Sequence, residues 1–427
     1  MALKKYKNKP QAVKADKADK KEGFDPFQHH YTTDSPKLDK YIQELVFILE
    51  FKRPKSKPAI LKVLFVNLLY SRKNRVGIYR TTSYKLPKRH NPESIGQTSL
   101  CTVLDALVKH GYIDEVKGDY STQTMTIISR TSKLSTGFRV NEIGAGWDLL
   151  RGTPLITRAD PVVLKNKKDK KVIDYEDTDY TNEVRAFLSQ YEALLDEVCD
   201  EIYPDLDHDD YRFDQGYIES PFNIKRTFNW GKFTMGGRIS AKWTGISKEV
   251  RPFLMIADEA TDEIDMECSS INIMYRKATG KPYQGANDAY YIEMNGEVIP
   301  RKLVKQYLTI AQNTSPHKTG GAYIKELVEI GKLEEFDELG VSVDELDKAI
   351  RAKHTQILDY LFKPSMGMKV QWSESELVFL VLKRLTSERI PALSVFDSFI
   401  VRKSDASYVA QVLGDISNNR MDEYLFK

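Results

Sequence analysis

The sequence predicts an α+β protein, in which a small unit of helices and a β-hairpin precedes a larger unit of strands and helices. Three patterns lead to this fold class. A helix, turn, helix and hairpin pattern lies between residues 35 and 140. A strand passes directly into a helix at Asp265, and a hairpin pattern is centred on Asp397. Helical and strand periodicities therefore occur together along one chain.

Size and composition set the number of domains. The chain has 427 residues, of which 41% are hydrophobic and 29% are charged. This balance is typical of folded globular proteins, and the length suits at least two domains. The net charge of +3 is only mildly basic, so attraction to nucleic acid has to come from local clusters of lysine and arginine.

The cysteines and the N-terminus indicate a compartment. Three cysteines lie far apart, at Cys101, Cys199 and Cys268, without the CxxC spacing of a zinc site. The N-terminus is rich in lysine but lacks the apolar stretch of a secretory signal, and no later run approaches a membrane span. We expect a cytoplasmic protein with no membrane partner.

Composition shifts divide the chain into four predicted segments. Residues 1–34 are a lysine-rich flexible tail, and residues 35–140 are the first compact unit. Residues 141–224 are polar and acidic around one probable helix, so a connector is the default interpretation. Residues 225–427 form the second unit.

The first unit contains two predicted helices and a hairpin. PAILKVLFVNLLYSR is expected to be an amphipathic helix, and a second helix follows the turn PESIG and stops at Gly111. The segments YIDEVKG and QTMTIISRT are expected to be strands joined by a Gly-Asp turn. The apolar face of the second helix is Leu100, Val103, Leu104, Leu107 and Val108.

This order of elements resembles a winged-helix domain, whose second helix usually enters the major groove of DNA. The resemblance places polar residues at the exposed start of that helix and basic residues on the wing. A protein-docking module of the same fold is the alternative. The predicted nucleic-acid contacts of this unit are Gln97, Ser99, Thr102, Lys117 and Arg130.

The second unit opens with a strand pattern from Phe233 to Trp243, interrupted by Gly236 and Gly237. Adjacent glycines in a strand mark a place where the backbone can approach a ligand closely. Arg226 and Arg238 flank this place and are predicted to reach phosphates, of nucleic acid for Arg226 and of a nucleotide for Arg238.

Two carboxylates are the candidate catalytic residues. EIDMECSSINIMYR predicts a strand that ends at Asp265 and a helix that begins near Ser269 or Ser270, and VFDSFIV predicts a hairpin with Asp397 at its tip. Strands far apart in sequence can be neighbours in one sheet. Such a pair of carboxylates can hold two Mg²⁺ ions, or Mn²⁺, for in-line phosphoryl transfer.

A basic helix lies between these two motifs. VIPRKLVKQYLTIAQNTS fits a helix that begins after Pro300. Arg301 and Lys305 are four residues apart and share a face, where they could bind the triphosphate of a nucleotide, and Asn313 lies on roughly the same face. An ordinary solvated helix surface is the alternative.

The order of these motifs resembles motifs A, B and C of family A polymerases, the group of bacterial DNA polymerase I and the single-subunit RNA polymerases of phages and mitochondria. The resemblance covers about half of the chain, from Lys225 onward, and implies a palm with an antiparallel sheet and helical fingers. It implies that Asp265 and Asp397 bind the catalytic metals, that Arg301 and Lys305 contact nucleotide phosphates, and that Asn313 lies near the base and sugar.

Two departures from the family pattern matter. Motif C normally reads His-Asp followed by Glu or Ser, whereas this chain has Phe396-Asp397-Ser398, which puts primer handling in doubt. The small residue Ser270 occupies the position where DNA polymerases of the family place a bulky Glu against the ribose 2′-hydroxyl. The resemblance therefore implies tolerance of ribonucleotides, as in a primase.

The sequence leaves two hypotheses about the function of the chain. The first is a DNA-directed nucleotidyltransferase, a polymerase or primase that acts in replication of a phage or mobile element. Its partners are template DNA and nucleoside triphosphates, with a helicase or small accessory subunit as a further candidate. The alternative is an origin-binding replication initiator or regulator whose palm does not catalyse. The layout resembles polymerase-primases of mobile elements.

Overall fold

The computed structural model describes residues 24–71, 75–80, 86–116, 125–131, 155–157, 159–199, 201–207, 210–220, 222–267 and 269–426. The chain divides into two compact units, residues 1–159 and residues 160–427. Both units combine helices and strands, so the predicted α+β class is confirmed. Most of the lysine-rich tail, residues 1–23, lies outside the described residues.

The described part of the N-terminal unit contains three α-helices and a four-stranded sheet, whose order is β1-β3-β5-β4 in the numbering given at the end of this paragraph. Strand β1 runs parallel to β3, the other neighbours are antiparallel, and β2 pairs with β6. In chain order, its described elements are β1 (Asp25–Pro26), β2 (Tyr31–Thr32), α1 (Pro36–Ile48), α2 (Lys57–Tyr70), β3 (Arg75–Ile78), α3 (Gln97–Lys109), β4 (Ile113–Val116), β5 (Thr126–Arg130) and β6 (Ile156–Thr157).

The fold begins earlier than the predicted end of the tail at residue 34. The backbone N–H of Phe27 donates to the carbonyl of Gly77 (3.0 Å), which extends the pairing of β1 with β3. Phe24 packs so closely on Gly77 that a Cβ there would lie 2.5 Å from its ring. Strand β1 has only two residues, Asp25 and Pro26, which is too short for the sequence to show a strand periodicity.

Helix α2 is not amphipathic, which corrects the prediction for PAILKVLFVNLLYSR. Its residues are buried on nearly all sides because α1, α3 and β3 each pack against it. Helix α3 has the predicted inner face, except that Val108 is 37% exposed. It ends as predicted at Gly111, where φ is +73° and the N–H of Tyr112 donates back to the Leu107 carbonyl (2.8 Å). The predicted Gly-Asp turn lies outside the described residues.

The second unit contains a six-stranded antiparallel sheet of order β10-β9-β13-β14-β18-β17 and a four-stranded sheet of order β12-β11-β7-β8. Its described strands are β7 (Val162–Lys165), β8 (Val172–Ile173), β9 (Glu201–Pro204), β10 (Ile218–Glu219), β11 (Lys225–Asn229), β12 (Lys232–Ser240), β13 (Leu254–Ile256), β14 (Glu259–Asp265), β15 (Glu293–Met294), β16 (Glu297–Val298), β17 (Ala392–Val395) and β18 (Ser398–Arg402). Its described α-helices are α4 (Asp179–Val198), α5 (Tyr211–Gly216), α6 (Ser269–Thr279), α7 (Arg301–Ala311), α8 (Pro316–Glu329), α9 (Leu333–Asp337), α10 (Val343–Lys353), α11 (Met366–Ser387) and α12 (Ala406–Asn419).

The predicted connector supplies part of this second core. Strand β7 pairs in parallel with β11. The Phe187 ring of α4 meets the Phe379 ring of α11 edge-on, with 4.9 Å between centroids, and the Tyr191 hydroxyl donates to the Ala392 carbonyl. The acidic side chains of Glu183, Asp196 and Glu197 lie on the exposed face of α4, and such polar surfaces make the composition of the segment resemble that of a linker.

Gly236 and Gly237 form an irregularity in β12, with φ of +77° and +81°. The Ser375 hydroxyl of α11 donates to the Gly236 carbonyl (2.7 Å), and a Cβ on Gly237 would lie 2.8 Å from that hydroxyl oxygen. The close approach predicted for a ligand is therefore made by helix α11. The glycines allow this helix to lie directly on the strand.

Candidate active site

Asp265 and Asp397 lie side by side at one end of the six-stranded sheet. Strand β14 pairs with β18 so that Asp265 is opposite Ser398, and the N–H of Met266 donates to the Asp397 carbonyl (3.1 Å). Burial raises the pKa of Asp265, and the negative charge of Asp397 raises it further, while the Lys305 ammonium acts in the opposite direction. The sheet therefore holds the two carboxylates close enough for the charge of Asp397 to act on Asp265.

A strained turn presents Asp397. Val395 pairs with Ser398, so Phe396 and Asp397 form a two-residue hairpin turn. Phe396 has φ +60°, a conformation that costs a bulky residue on the order of 1–3 kcal/mol. The Arg238 guanidinium lies 4.8 Å from the centre of the Phe396 ring. Strain of this kind clusters at functional sites.

Glu374 of α11 connects these groups and was not predicted from the sequence. Its buried carboxylate accepts hydrogen bonds from Arg238 (2.9 Å) and from the Ser269 hydroxyl (2.8 Å). The same hydroxyl lies 3.3 Å from the Asp397 carboxylate. Burial raises the pKa of Glu374, and the charge of Arg238 opposes this. The available signal was the polar run Ser-Glu-Ser-Glu at residues 373–376 inside an apolar helix.

Helix α7 begins after Pro300 as predicted but ends at Ala311, so Asn313 follows the helix instead of lying on its face. Two of the three residues predicted for this segment line one groove. Lys305 and Asn313 line a groove of about 630 Å³ together with Lys325 of α8. Arg301 is not in this groove, because it bonds to the Asp288 carboxylate (3.1 Å) and stacks over Tyr290. Lys305 is thus the residue of this helix whose charge reaches Asp265.

Ser270 lies in the first turn of α6, beside the end of α7. The amide of Gln312, a buried side chain, is 3.5 Å from the Ser270 hydroxyl. The strand β14, the beginning of α6 and the end of α7 therefore meet at one place. Ser270 follows Ser269, whose hydroxyl reaches Asp397, and the charge of Lys305 acts on Asp265.

Arg226 is the main correction among the predicted site residues. Its side chain has no exposed surface and is ion-paired with Glu376 of α11 (2.8 Å). It also donates to the Gly237 carbonyl (2.8 Å). A fully buried guanidinium cannot contact nucleic acid, so the predicted role of Arg226 is wrong. Its function is to join strand β11 to helix α11.

The predicted contacts of the N-terminal unit are only partly exposed. Gln97 is 8% exposed and donates to the Tyr79 carbonyl, so its predicted place on the exposed surface of the helix is wrong. Ser99 is half-buried and Thr102 is exposed. Arg130 is the last residue of β5, and Lys117 lies outside the described residues.

The two adjacent aspartates are a donor set of a kind that magnesium accepts. In the described parts of the chain, no group of three or more His, Cys, Asp or Glu side chains is placed to hold a metal ion. Magnesium, however, is commonly held by one or two carboxylates, with waters and substrate phosphates as its remaining ligands. Asp265 and Asp397 supply such a pair of hard oxygen ligands.

Comparisons with protein-family models, curated proteins and solved structures find no match for this chain. No helix among the described residues is long and apolar enough to cross a membrane. Inferences about function therefore rest on the carboxylate pair and the side chains around it.

Proposed function

We propose that this chain is a template-directed nucleotidyltransferase of the polymerase or primase type, with a palm formed by the six-stranded sheet. The observation that carries the proposal is the carboxylate pair at the adjoining ends of β14 and β18, with Lys305 beside it. Helices α7 and α8 and their groove correspond to the fingers. The motif order in the sequence supports the same assignment.

The proposed reaction is in-line phosphoryl transfer. A 3′-hydroxyl or an initiating nucleotide's hydroxyl attacks the α-phosphorus of a nucleoside triphosphate and loses its proton to solvent. One O–P bond forms, and the bond between the α-phosphorus and the bridging oxygen of the departing pyrophosphate breaks. Bound Mg²⁺ would lower the pKa of the attacking hydroxyl and stabilise the charge on the transferred group. Asp265 and Asp397 would hold the metal ions, and Lys305 would bind the triphosphate.

The buried glutamate has a supporting role in this proposal. Glu374 holds Ser269, whose hydroxyl reaches Asp397, and it also fixes Arg238 beside the hairpin tip. These contacts limit the positions that the Asp397 carboxylate can take. A carboxylate with a restrained position binds metal more tightly than a mobile one.

We further propose that the N-terminal unit is a winged helix that contacts DNA. The order of β3, β5 and β4 in the sheet and the position of α3 before the β4–β5 hairpin support this. The exposed Thr102 of α3 is its candidate contact. Replacing Ser99 and Thr102 with Glu should weaken binding to duplex DNA by about tenfold. Unchanged binding would favour a protein-docking module.

A synthesis assay tests the catalytic proposal. The full chain would receive primed or unprimed single-stranded templates, Mg²⁺, and either ribonucleotides or deoxynucleotides. We expect a templated product that disappears in Asp265→Ala and Asp397→Ala. Asp262→Ala is the matched control, because Asp262 is an exposed residue of the same strand. Absence of product on every template would overturn the proposal, and DNA binding without synthesis would favour the non-catalytic initiator.

The same assay tests sugar selection. Ser270 is small and stands near the carboxylate pair, so the site should accept ribonucleotides. Ser270→Glu should lower kcat/KM for ribonucleotides by at least tenfold and change the value for deoxynucleotides much less. An equal effect on both substrates would show that Ser270 does not contact the sugar.

A further inference from the structure

We propose that two adjoining turns of the four-stranded sheet bind the sugar–phosphate backbone of a nucleic acid. The first turn, residues 166–171, joins β7 to β8, and the second, Trp230-Gly231, joins β11 to β12. Because β7 and β11 are parallel, both turns lie at the same end of the sheet. The N–H of Gly231 donates to the carbonyl of Lys165 (2.8 Å) and ties the turns together. We call residues 165–171 and 229–232 the lysine hairpins.

The charge of the lysine hairpins is strongly positive. They contain six lysines and one aspartate, a local net charge of +5 in a chain whose total is +3. Asp169 bonds to Lys171 (3.1 Å). Lys167, Lys168, Lys170 and Lys232 are exposed. A dense cluster of this kind binds phosphates by releasing their counterions.

The aromatic residue in the second turn has an unusual backbone. Trp230 and Gly231 have φ of +59° and +66°, the pattern of a turn that normally selects Asn and Gly. The backbone of a tryptophan is strained in this conformation, and the geometry of the turn does not require a tryptophan. The Lys167 ammonium lies 4.3 Å from the ring centre. An aromatic ring among lysines is the combination with which proteins hold single-stranded nucleic acid.

The location of the lysine hairpins favours nucleic acid over other polyanions. Strand β12 begins at Lys232 and reaches Arg238, which bonds to Glu374 beside the carboxylate pair. Six residues of strand span about 20 Å, and a nucleic-acid strand covers that distance with about six nucleotides. The choice of nucleic acid rests on the proposed function. Binding itself requires no catalysis.

Binding measurements on the full chain test this proposal. The triple variant Lys167→Glu, Lys168→Glu, Lys170→Glu would be compared with a control, Lys248→Glu, Lys348→Glu, Lys403→Glu, whose lysines are also exposed. The probe is a fluorescent primer–template, titrated at several salt concentrations. We expect at least tenfold weaker binding for the hairpin variant and a salt slope reduced by about two to three. The control should bind within twofold of the wild type.

A second variant tests the same surface without reversing any charge. Trp230→Gly suits the turn conformation, so it should fold normally and should weaken binding of single-stranded DNA with little change in the salt slope. Equal effects of the hairpin and control variants, or no effect of the hairpin variant, would overturn the proposal. Vesicles containing phosphatidylserine are a further arm. Loss of vesicle binding with unchanged DNA binding would assign the surface to anionic lipid instead.

Nucleic-acid binding by the lysine hairpins can be confirmed or overturned independently of the proposed catalytic function. Asp397→Ala should bind the primer–template as tightly as the wild type. A wild-type chain that binds through the lysine hairpins but makes no product would retain this inference and overturn the polymerase assignment.

Discussion

Asp265 and Asp397 illustrate, at the scale of single residues, how a site can oppose the stability of the fold that contains it. Backbone pairing of Asp265 with Ser398, and the bond from the Met266 N–H to the Asp397 carbonyl, keep the two residues next to each other. Repulsion between them is relieved by a proton or by a metal ion. The pair should therefore make stability depend on both pH and magnesium.

We expect Asp265→Asn to stabilise the metal-free chain at pH 7. The pKa of Asp265 is raised in the folded state, so the wild type loses stability as pH rises through that pKa. The gain should be below about 0.5 kcal/mol because water screens this exposed side chain. It should vanish below about pH 4, where the carboxyl is protonated in the folded and unfolded states. Thermal melts at a series of pH values would measure it.

Magnesium provides the control for this comparison. Millimolar Mg²⁺ should raise the melting temperature of the wild type, because an ion that binds only the folded state stabilises it. The same addition should leave Asp265→Asn almost unchanged. A variant that is less stable than the wild type at pH 7, without metal, would contradict the expected repulsion.

Glu374 should act on metal binding through Ser269. Glu374→Ala removes the acceptor of the Ser269 hydroxyl and also leaves Arg238 without its carboxylate partner. We expect the Mg²⁺ concentration for half-maximal activity to rise about tenfold, the scale of effects for residues that orient metal ligands. Ser269→Ala should give a similar rise, and the double variant should not exceed either by much. A fall in kcat at saturating Mg²⁺ with no change in metal requirement would contradict this role.

At the scale of an element, helix α11 forms two ion pairs with the sheet that differ in their exposure to water. It carries two buried glutamates into contact with arginines of β11 and β12. Arg226 has no exposed surface, whereas the Arg238 side chain is 36% exposed. Both pairs connect the helix to the sheet. Only the Arg238 pair borders the carboxylate site.

The two pairs should therefore differ in their contribution to stability. Glu376→Gln leaves the Arg226 charge buried and should lower the free energy of unfolding by about 3–5 kcal/mol. Glu374→Gln should cost much less, because Arg238 can reach water. Urea denaturation followed by circular dichroism would compare the two variants. Equal losses would show that Arg238 is as poorly solvated as Arg226.

Elements with local signals were predictable from the sequence. The strand that passes into a helix at Asp265, the hairpin at Asp397 and the helix after Pro300 all occur where their patterns placed them. Ser342 and Glu345 form a capping box at the start of α10, a pattern of the same local kind. Each depends on residues within a few positions of one another, and the spacing of those residues is visible in the sequence.

Features that depend on distant partners were not predictable. Arg226 and Glu376 are 150 residues apart, and neither residue type indicates burial unless its partner is known. Glu374 likewise meets Ser269 across 105 residues. The connector was misassigned for the same reason, because the partners of β7 and α4 come from later segments. Arg301 was placed with Lys305 by helix spacing, but Asp288, from a preceding loop, binds it.

At the scale of the whole molecule, the two units have separate hydrophobic cores. The first core includes Leu104 and the second includes Leu393, and the two share no buried residue among those described. Each core should therefore unfold as its own cooperative unit. Calorimetry of the full chain should show two transitions.

Core substitutions would assign these transitions. Leu104→Ala and Leu393→Ala remove fully buried side chains and should each cost about 2–5 kcal/mol. Leu104→Ala should lower the temperature of one transition only, and Leu393→Ala that of the other. A single transition that both variants shift equally would indicate one cooperative unit.

The position of β18 between β14 and β17 also has a consequence during protein synthesis. Asp265 leaves the ribosome about 130 residues before Asp397. Until residue 402 has emerged from the exit tunnel, β14 has an open edge and the carboxylate pair does not exist. A nascent chain held by a stalled ribosome at residue 390 would display that edge to other chains, where a chaperone could cover it. The pairing of β14 with β18, and with it the carboxylate pair, thus forms only after nearly all of β18 has been synthesised.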